Sequence, residues 1–128
     1  MNTEAPKKRI LIVDDESGFT RLLKLTLEKT GLYVVREEND GTKAREAARE
    51  FKPDMIFLDI VMPKIDGGDV ASQIKADWML KDTKIVFLTA IVSKKEATGG
   101  GLIGGFPFIS KPVSLDALRK CIEETLAS

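Results

Sequence analysis

Four short apolar runs in this chain each stop at a polar residue. Ile10–Val13 runs into Asp14 and Asp15, Met55–Leu58 into Asp59, Lys84–Leu88 into Thr89, and Phe106–Ser110 into Lys111. Uninterrupted runs of this length fit strands buried on both faces. Between them lie segments of helical spacing. Phe19, Leu22, Leu23, Thr26 and Leu27 share one face of a first helix, from Ser17 as N-cap to Thr30, with Gly31 at its end. A further strand, Leu32–Val35, follows. A second helix opens near Asp40-Gly41, places Ala44, Ala47, Ala48 and Phe51 together, and stops before Pro53. A third spans Gly67 to Asp77 with Val70 and Ile74 inward and Trp78 near its end. The last spans Ser114 to Leu126 with Leu115, Leu118, Ile122 and Leu126 in register. This alternation predicts an α/β, flavodoxin-like, doubly wound sheet of five parallel strands in the order 2-1-3-4-5.

In a parallel sheet all strand ends lie on one rim, the edge where ligands bind. Asp14, Asp15, Asp59, Thr89 and Lys111 therefore converge. Each has a plain structural use: an acid that opens a helix, a turn residue, a β-branched strand residue, a surface lysine. Their convergence makes those uses insufficient. Three carboxylates on one rim repel one another. A hard divalent cation relieves that repulsion, and Mg²⁺ takes few carboxylates together with waters and phosphate oxygens. An ammonium and a hydroxyl beside it suit the oxygens of a phosphoryl group. The physics points to a Mg²⁺-dependent phosphoryl pocket with Asp59 as candidate nucleophile.

Composition closes off other classes. With 128 residues the chain is one domain, expected at residues 8–128 behind a polar tail, residues 1–7. Twenty basic and twenty acidic residues cancel, which argues against direct contact with nucleic acid or a membrane surface. No apolar run approaches the ~18 residues of a membrane span. The single cysteine, Cys121, allows no internal disulfide and fits a reducing compartment, expected to be the cytoplasm. Histidine is absent, so no site here can use imidazole, and any phosphohistidine belongs to another molecule.

The chain resembles the receiver domains of two-component response regulators over about residues 8–127. The resemblance rests on Val13-Asp14-Asp15-Glu16, on Asp59 with Met62-Pro63 and Asp66-Gly67, on Leu88-Thr89-Ala90 and on Ser110-Lys111-Pro112. It implies that Asp59 accepts a phosphoryl group from a histidine kinase or a histidine phosphotransfer protein. It implies that Asp15, Asp59 and the Val61 carbonyl bind Mg²⁺ directly, and that Asp14 does so mainly through a water. Lys111 would pair with a phosphoryl oxygen. Thr89 would be the switch hydroxyl, Phe108 its aromatic partner, and the Lys111-Pro112 bond cis. The domain would catalyse its own phosphorylation and dephosphorylation without turning over a separate substrate. It would act on a downstream protein target, as a monomer or a phosphorylation-dependent dimer, with no output domain of its own. The alternative is a receiver-fold module that signals by binding alone.

Two departures from the family pattern stand out. Val61 and Ile91, two residues beyond Asp59 and Thr89, are apolar where the family steers the attacking water, which predicts a long-lived acyl phosphate. Val61 also lacks the second acid that an aspartyl phosphohydrolase needs there. Secondly, Gly99 to Gly105 holds half of the chain's ten glycines. It is no dinucleotide fingerprint, because it leads into a strand and not a helix. Interior glycines cost a helix about 1 kcal/mol each, so the fourth helix is expected to be short or irregular, with a mobile loop from about Thr98 to Gly105. In the family the face made by this helix, the last strand and the last helix commonly carries the partner contact. With order 2-1-3-4-5, Pro107 is expected in an edge strand.

Overall fold

The computed structural model describes residues 6–90, 102–111 and 113–127. In chain order these form β1 (Lys8–Val13), α1 (Ser17–Glu28), β2 (Tyr33–Glu38), one 3-10 turn (Gly41–Lys43) leading into α2 (Ala44–Phe51), and β3 (Met55–Leu58). There follow α3 (Gly67–Ala76), β4 (Lys84–Thr89), β5 (Leu102–Ile103), β6 (Phe106–Ser110) and α4 (Leu115–Leu126). The sheet order is β2-β1-β3-β4-β6-β5. Its five parallel strands lie in the expected order, with β6 as the fifth.

The uninterrupted apolar runs have a direct cause. Ile10–Val13 and Met55–Leu58 are fully buried because both sheet faces are covered. Leu11, Val13, Ile56 and Leu58 face α2 and α3, through Ala44, Ala47, Ala48, Val70, Ala71 and Ile74. Ile10, Ile12, Met55 and Phe57 face α1 and α4, through Leu23, Leu27, Leu118 and Ile122. Each such aliphatic side chain contributes roughly 1.5–3 kcal/mol by its burial.

Three local expectations need correction. The inward face of α1 is Thr20, Leu23 and Leu27, while Leu22 is 62% exposed. Thr20 tolerates full burial because its hydroxyl donates to the nearer Glu37 carboxylate, with the Ser17 carbonyl also within reach, and accepts from the Asn39 amide. Ser17 is the first helical residue and not the cap; Glu16 occupies that position without a side-chain cap bond. Asp40, Asp66 and Ser114, by contrast, all cap through their side chains.

The third correction concerns the sheet edge. Leu102–Ile103 pairs antiparallel with β6, so Pro107 does not lie in the outermost strand. Gly104 and Gly105 have φ of +57° and +88°, the values of a type I′ turn, whose twist suits a two-residue hairpin. Residues 102–105 are therefore a hairpin and not an irregular loop. Leu102 faces Pro107 one pair out from the turn, where an antiparallel ladder makes no hydrogen bonds between partners. The missing N–H of Pro107 thus costs that ladder nothing. The expected fourth helix, residues 98–101 of the expected loop, Ile91 and the Lys111-Pro112 bond lie outside the described residues, so the last helix is α4 here.

One glycine ties the fold to the rim. A Cβ on Gly67 would lie 2.3 Å from the Asp59 carbonyl oxygen and 2.7 Å from the Ile60 Cα. Only a bare backbone lets α3 start this close to the end of β3, where the Gly67 N–H donates to the Ile60 carbonyl at 2.7 Å. We expect Gly67→Ala to cost about 1–3 kcal/mol in urea unfolding, whereas Gly18→Ala, at an open position, leaves stability unchanged or higher.

Candidate functional site

The strand order reverses between β1 and β3, and open α/β sheets bind ligands in the crevice at such a point. The carboxyl ends of these two neighbours carry the candidate residues. Asp14 follows β1 and is 1% exposed; Asp59 follows β3 and is 6% exposed. The Asp59 N–H donates to the Val13 carbonyl at 2.9 Å, and the Asp14 N–H to Glu38 at 3.1 Å, so both are extensions of the strand ladders. One carboxylate oxygen from each of Asp14, Asp15 and Asp59 lies within 4.8 Å of the other two. Asp15 is the solvent-exposed member.

Lys111, one residue past β6, reaches back across the sheet. Its ammonium donates to Asp14 Oδ2 at 2.6 Å and to Glu16 Oε1 at 3.4 Å, and lies 3.9 Å from Asp59 Oδ2. Thr89 ends β4 and is buried, and its carbonyl accepts from the Lys111 N–H. Phe108 sits in β6 opposite Phe87, half-buried against the core. The Val61 side chain is 55% exposed. The structure thus groups Asp14, Asp15, Asp59 and Lys111, with Thr89 bonded to the lysine backbone and Phe108 further along β6.

Sequence reasoning missed two groups at this site. Glu16 shares the ammonium, and the Phe19 ring lies under it, with Nζ 4.4 Å from the ring centroid. Phe19 is visible in the sequence only as a core-facing helix residue; nothing local links it to a lysine 92 positions on. The loop after β3 is also more constrained than Met62-Pro63 suggests. Lys64 has a φ of +73°, and the Ile65 N–H donates to the Pro63 carbonyl at 2.9 Å. A bond from i+2 to i across a positive-φ residue is a γ-turn of the rare, strained kind. The turn presses Met62 and Ile65 against Gly41.

The electrostatics are unbalanced. Burial first, then the charge of Asp14, pushes Asp59 up to about 6, against the opposing pull of Lys111 and the Val61 and Ile60 N–H groups. Burial lowers the Lys111 pKa, but its bond to Asp14 and the charges of Asp14, Asp59 and Glu16 more than reverse this, leaving it raised. Asp14, Asp15 and Asp59 offer a cluster of oxygen donors with more negative charge than one ammonium neutralises. That donor set fits a hard cation such as Mg²⁺.

The sequence matches the response regulator receiver domain family over residues 10–123. The chain belongs to that family. It is 33% identical over 118 residues to the chemotaxis protein CheY of Bacillus subtilis, covering 92% of this chain and 97% of that one. It is 32% identical over 110 residues to the DNA-binding transcriptional regulator RpaA of Synechocystis, covering 86% of this chain but 45% of the relative. This receiver chain therefore spans about half the length of such transcriptional regulators. Among solved structures, the Vibrio cholerae chemotaxis protein CheY4 superposes with a TM-score of 0.81 at 26% identity, over 94% of this chain and 99% of that one. Receiver domains of two-component systems are phosphoacceptors with weak autophosphatase activity. They bind Mg²⁺ at an acidic pocket, take phosphoryl groups from histidine kinases or phosphotransfer proteins, and act on downstream targets. Among the described residues no helix of this receiver is long and apolar enough to cross a membrane.

A raised carboxylate pKa has a defined sign in stability. Folded Asp59 holds its proton to about pH 6, whereas an unfolded aspartate releases it near 3.8. Without metal, Asp59 therefore destabilises the fold fully above pH 6, and progressively less as pH falls from 6 towards 4. We expect Asp59→Asn to stabilise the EDTA-treated receiver by about 1–3 kcal/mol at pH 7.5, with the difference closing by pH 4. Paired thermal melts across that range measure it.

Proposed function

We propose that this receiver, which on this reading occupies residues 8–128, is phosphorylated on Asp59 by a histidine kinase or histidine phosphotransfer protein and switches to control a protein partner. The observation that carries the reading is a buried Asp59 carboxylate at the end of β3, beside two further carboxylates and 3.9 Å from a half-buried ammonium. With its pKa at about 6, the Asp59 carboxylate is ionised at neutral pH. One oxygen attacks the donor phosphorus, the phosphorus–nitrogen bond to the donor histidine breaks, and an acyl phosphate forms. Lys111 takes a phosphoryl oxygen, and Thr89 supplies the hydroxyl that senses it. Phe108, on the same strand as the Lys111 attachment, follows Thr89.

Asp15, Asp59 and the Val61 carbonyl would hold Mg²⁺ directly and Asp14 through water. Asp14 is suited to the outer role because Lys111 already occupies its Oδ2, while Asp15 stands open to solvent. When bound, the ion neutralises the carboxylates and the charge on the transferring group. Calorimetry with Mg²⁺ is expected to show a larger affinity loss for Asp15→Ala than for Asp14→Ala; the reverse order exchanges the two roles.

The exposed, apolar Val61 offers an attacking water no hydrogen-bond partner, so the acyl phosphate is expected to be long-lived. The balanced charge of the chain supports action through proteins and not directly on nucleic acid. Incubation with acetyl phosphate and Mg²⁺ tests the reading by intact mass. We expect one phosphoryl addition, absent in Asp59→Asn and decaying over far longer than seconds. No Asp59-dependent addition would favour a module that signals by binding alone.

A further inference from the structure

The Lys111 ammonium has three N–H groups, and its surroundings account for each. Asp14 takes one at 2.6 Å and Glu16 a second at 3.4 Å. The third faces Asp59, 3.9 Å away and beyond hydrogen-bond reach. The Lys111 side chain is 12% exposed and the Glu16 side chain 66%, so the Glu16 pair is solvent-screened and contributes little. Little water thus reaches an ammonium whose one strong partner is Asp14. The side left over is covered by the ring of Phe19, with Nζ 4.4 Å from its centroid. An aliphatic residue there would exclude water and return nothing. An aromatic face attracts a cation through its quadrupole, more so when the cation is desolvated.

We propose that Phe19 is a positioning residue for phosphoryl transfer, holding the Lys111 ammonium beside Asp59 through cation–π attraction while leaving its N–H groups free to change partners. The inference rests on the reading of Asp59 as phosphoacceptor and deepens it. On phosphorylation the ammonium must close the 3.9 Å gap to Asp59 and take a phosphoryl oxygen there. A second hydrogen-bond acceptor in place of Phe19 would have to be given up in that move. The π-face has no such lone-pair demand, so the ammonium can pivot over it with the attraction kept. The half-buried position of Phe19 on the first turn of α1, packed against the α1–α4 core layer, fixes the pivot to the fold.

A core role and a cation–π role make different demands on the ring. Phe19→Leu keeps apolar bulk and loses the quadrupole. Progressive fluorination of Phe19 keeps the ring shape and weakens the quadrupole stepwise. With acetyl phosphate and Mg²⁺, we expect the rate of Asp59 phosphorylation to fall about two- to fivefold in Phe19→Leu, to stay near wild type in Phe19→Tyr, and to fall stepwise with fluorination. A second readout needs neither metal nor phosphate. The ε-methylene protons of Lys111 are expected to show an upfield ring-current shift in proton NMR of the EDTA-treated protein, and to lose it in Phe19→Leu. A flat fluorination series overturns the proposal, as does an unshifted Lys111 methylene in wild type. Failure of wild type to accept phosphate on Asp59 overturns the phosphoacceptor reading instead, and the NMR shift still tests where the ring holds the lysine.

Discussion

Asp14, Asp59 and Glu16 share one ammonium beyond the ends of two strands whose last four residues are fully buried. That imbalance governs the site. Asp14 and Asp59 cannot move apart to relieve it, because each extends a strand whose preceding four residues are wholly buried and each is tied by its N–H to a neighbouring strand. The chain therefore carries a local electrostatic cost that its core must offset. The same cost makes the pocket receptive to a divalent cation, because the resting site is under-neutralised.

The fold delivers this arrangement with few devices. The reversal of strand order between β1 and β3 opens the crevice. Gly67 lets α3 begin against the backbone of Asp59 and Ile60, and the γ-turn at Lys64 folds Met62 and Ile65 back over Gly41. The loop after β3 thus packs down beside the nucleophile. The strain at Lys64 sits where strain in other proteins collects, next to chemistry.

Much of this was legible in the sequence. The parallel strands were visible as uninterrupted apolar runs, and Asp14, Asp15, Asp59, Thr89 and Lys111 as the residues that end them. What escaped reading depends on partners far along the chain. Thr20 looks like a solvent-facing helix residue until Glu37 of β2 and Asn39 just beyond it arrive to bond it, and its burial turns Leu22 outward. Phe19 looks like ordinary core until Lys111 is laid over it. The hairpin at Gly104-Gly105 failed for another reason. Its turn chemistry is local, two adjacent glycines before a strand, but the glycine density from Gly99 to Gly105 reads first as a run too costly for a helix.

The position of Lys111 also sets how a change at Asp59 can leave the pocket. Its N–H is bonded to the Thr89 carbonyl, so the lysine backbone and the end of β4 form one unit. From there β6 runs back through Ser110, Ile109 and Phe108, in register with Thr89, Leu88 and Phe87. At its far end the strand closes the hairpin with β5, where Phe106 meets Phe87 edge-on at 5.7 Å. In the proposed switch, a pull on the ammonium or on Thr89 is felt first along β6, a strand with half-buried side chains and two-residue support on its outer side. The central strands, buried on both faces, offer no comparable freedom. On that reading the more exposed side of the sheet yields first, and the response would pass outward through Phe108 and the hairpin, away from the core that would hold the nucleophile in place.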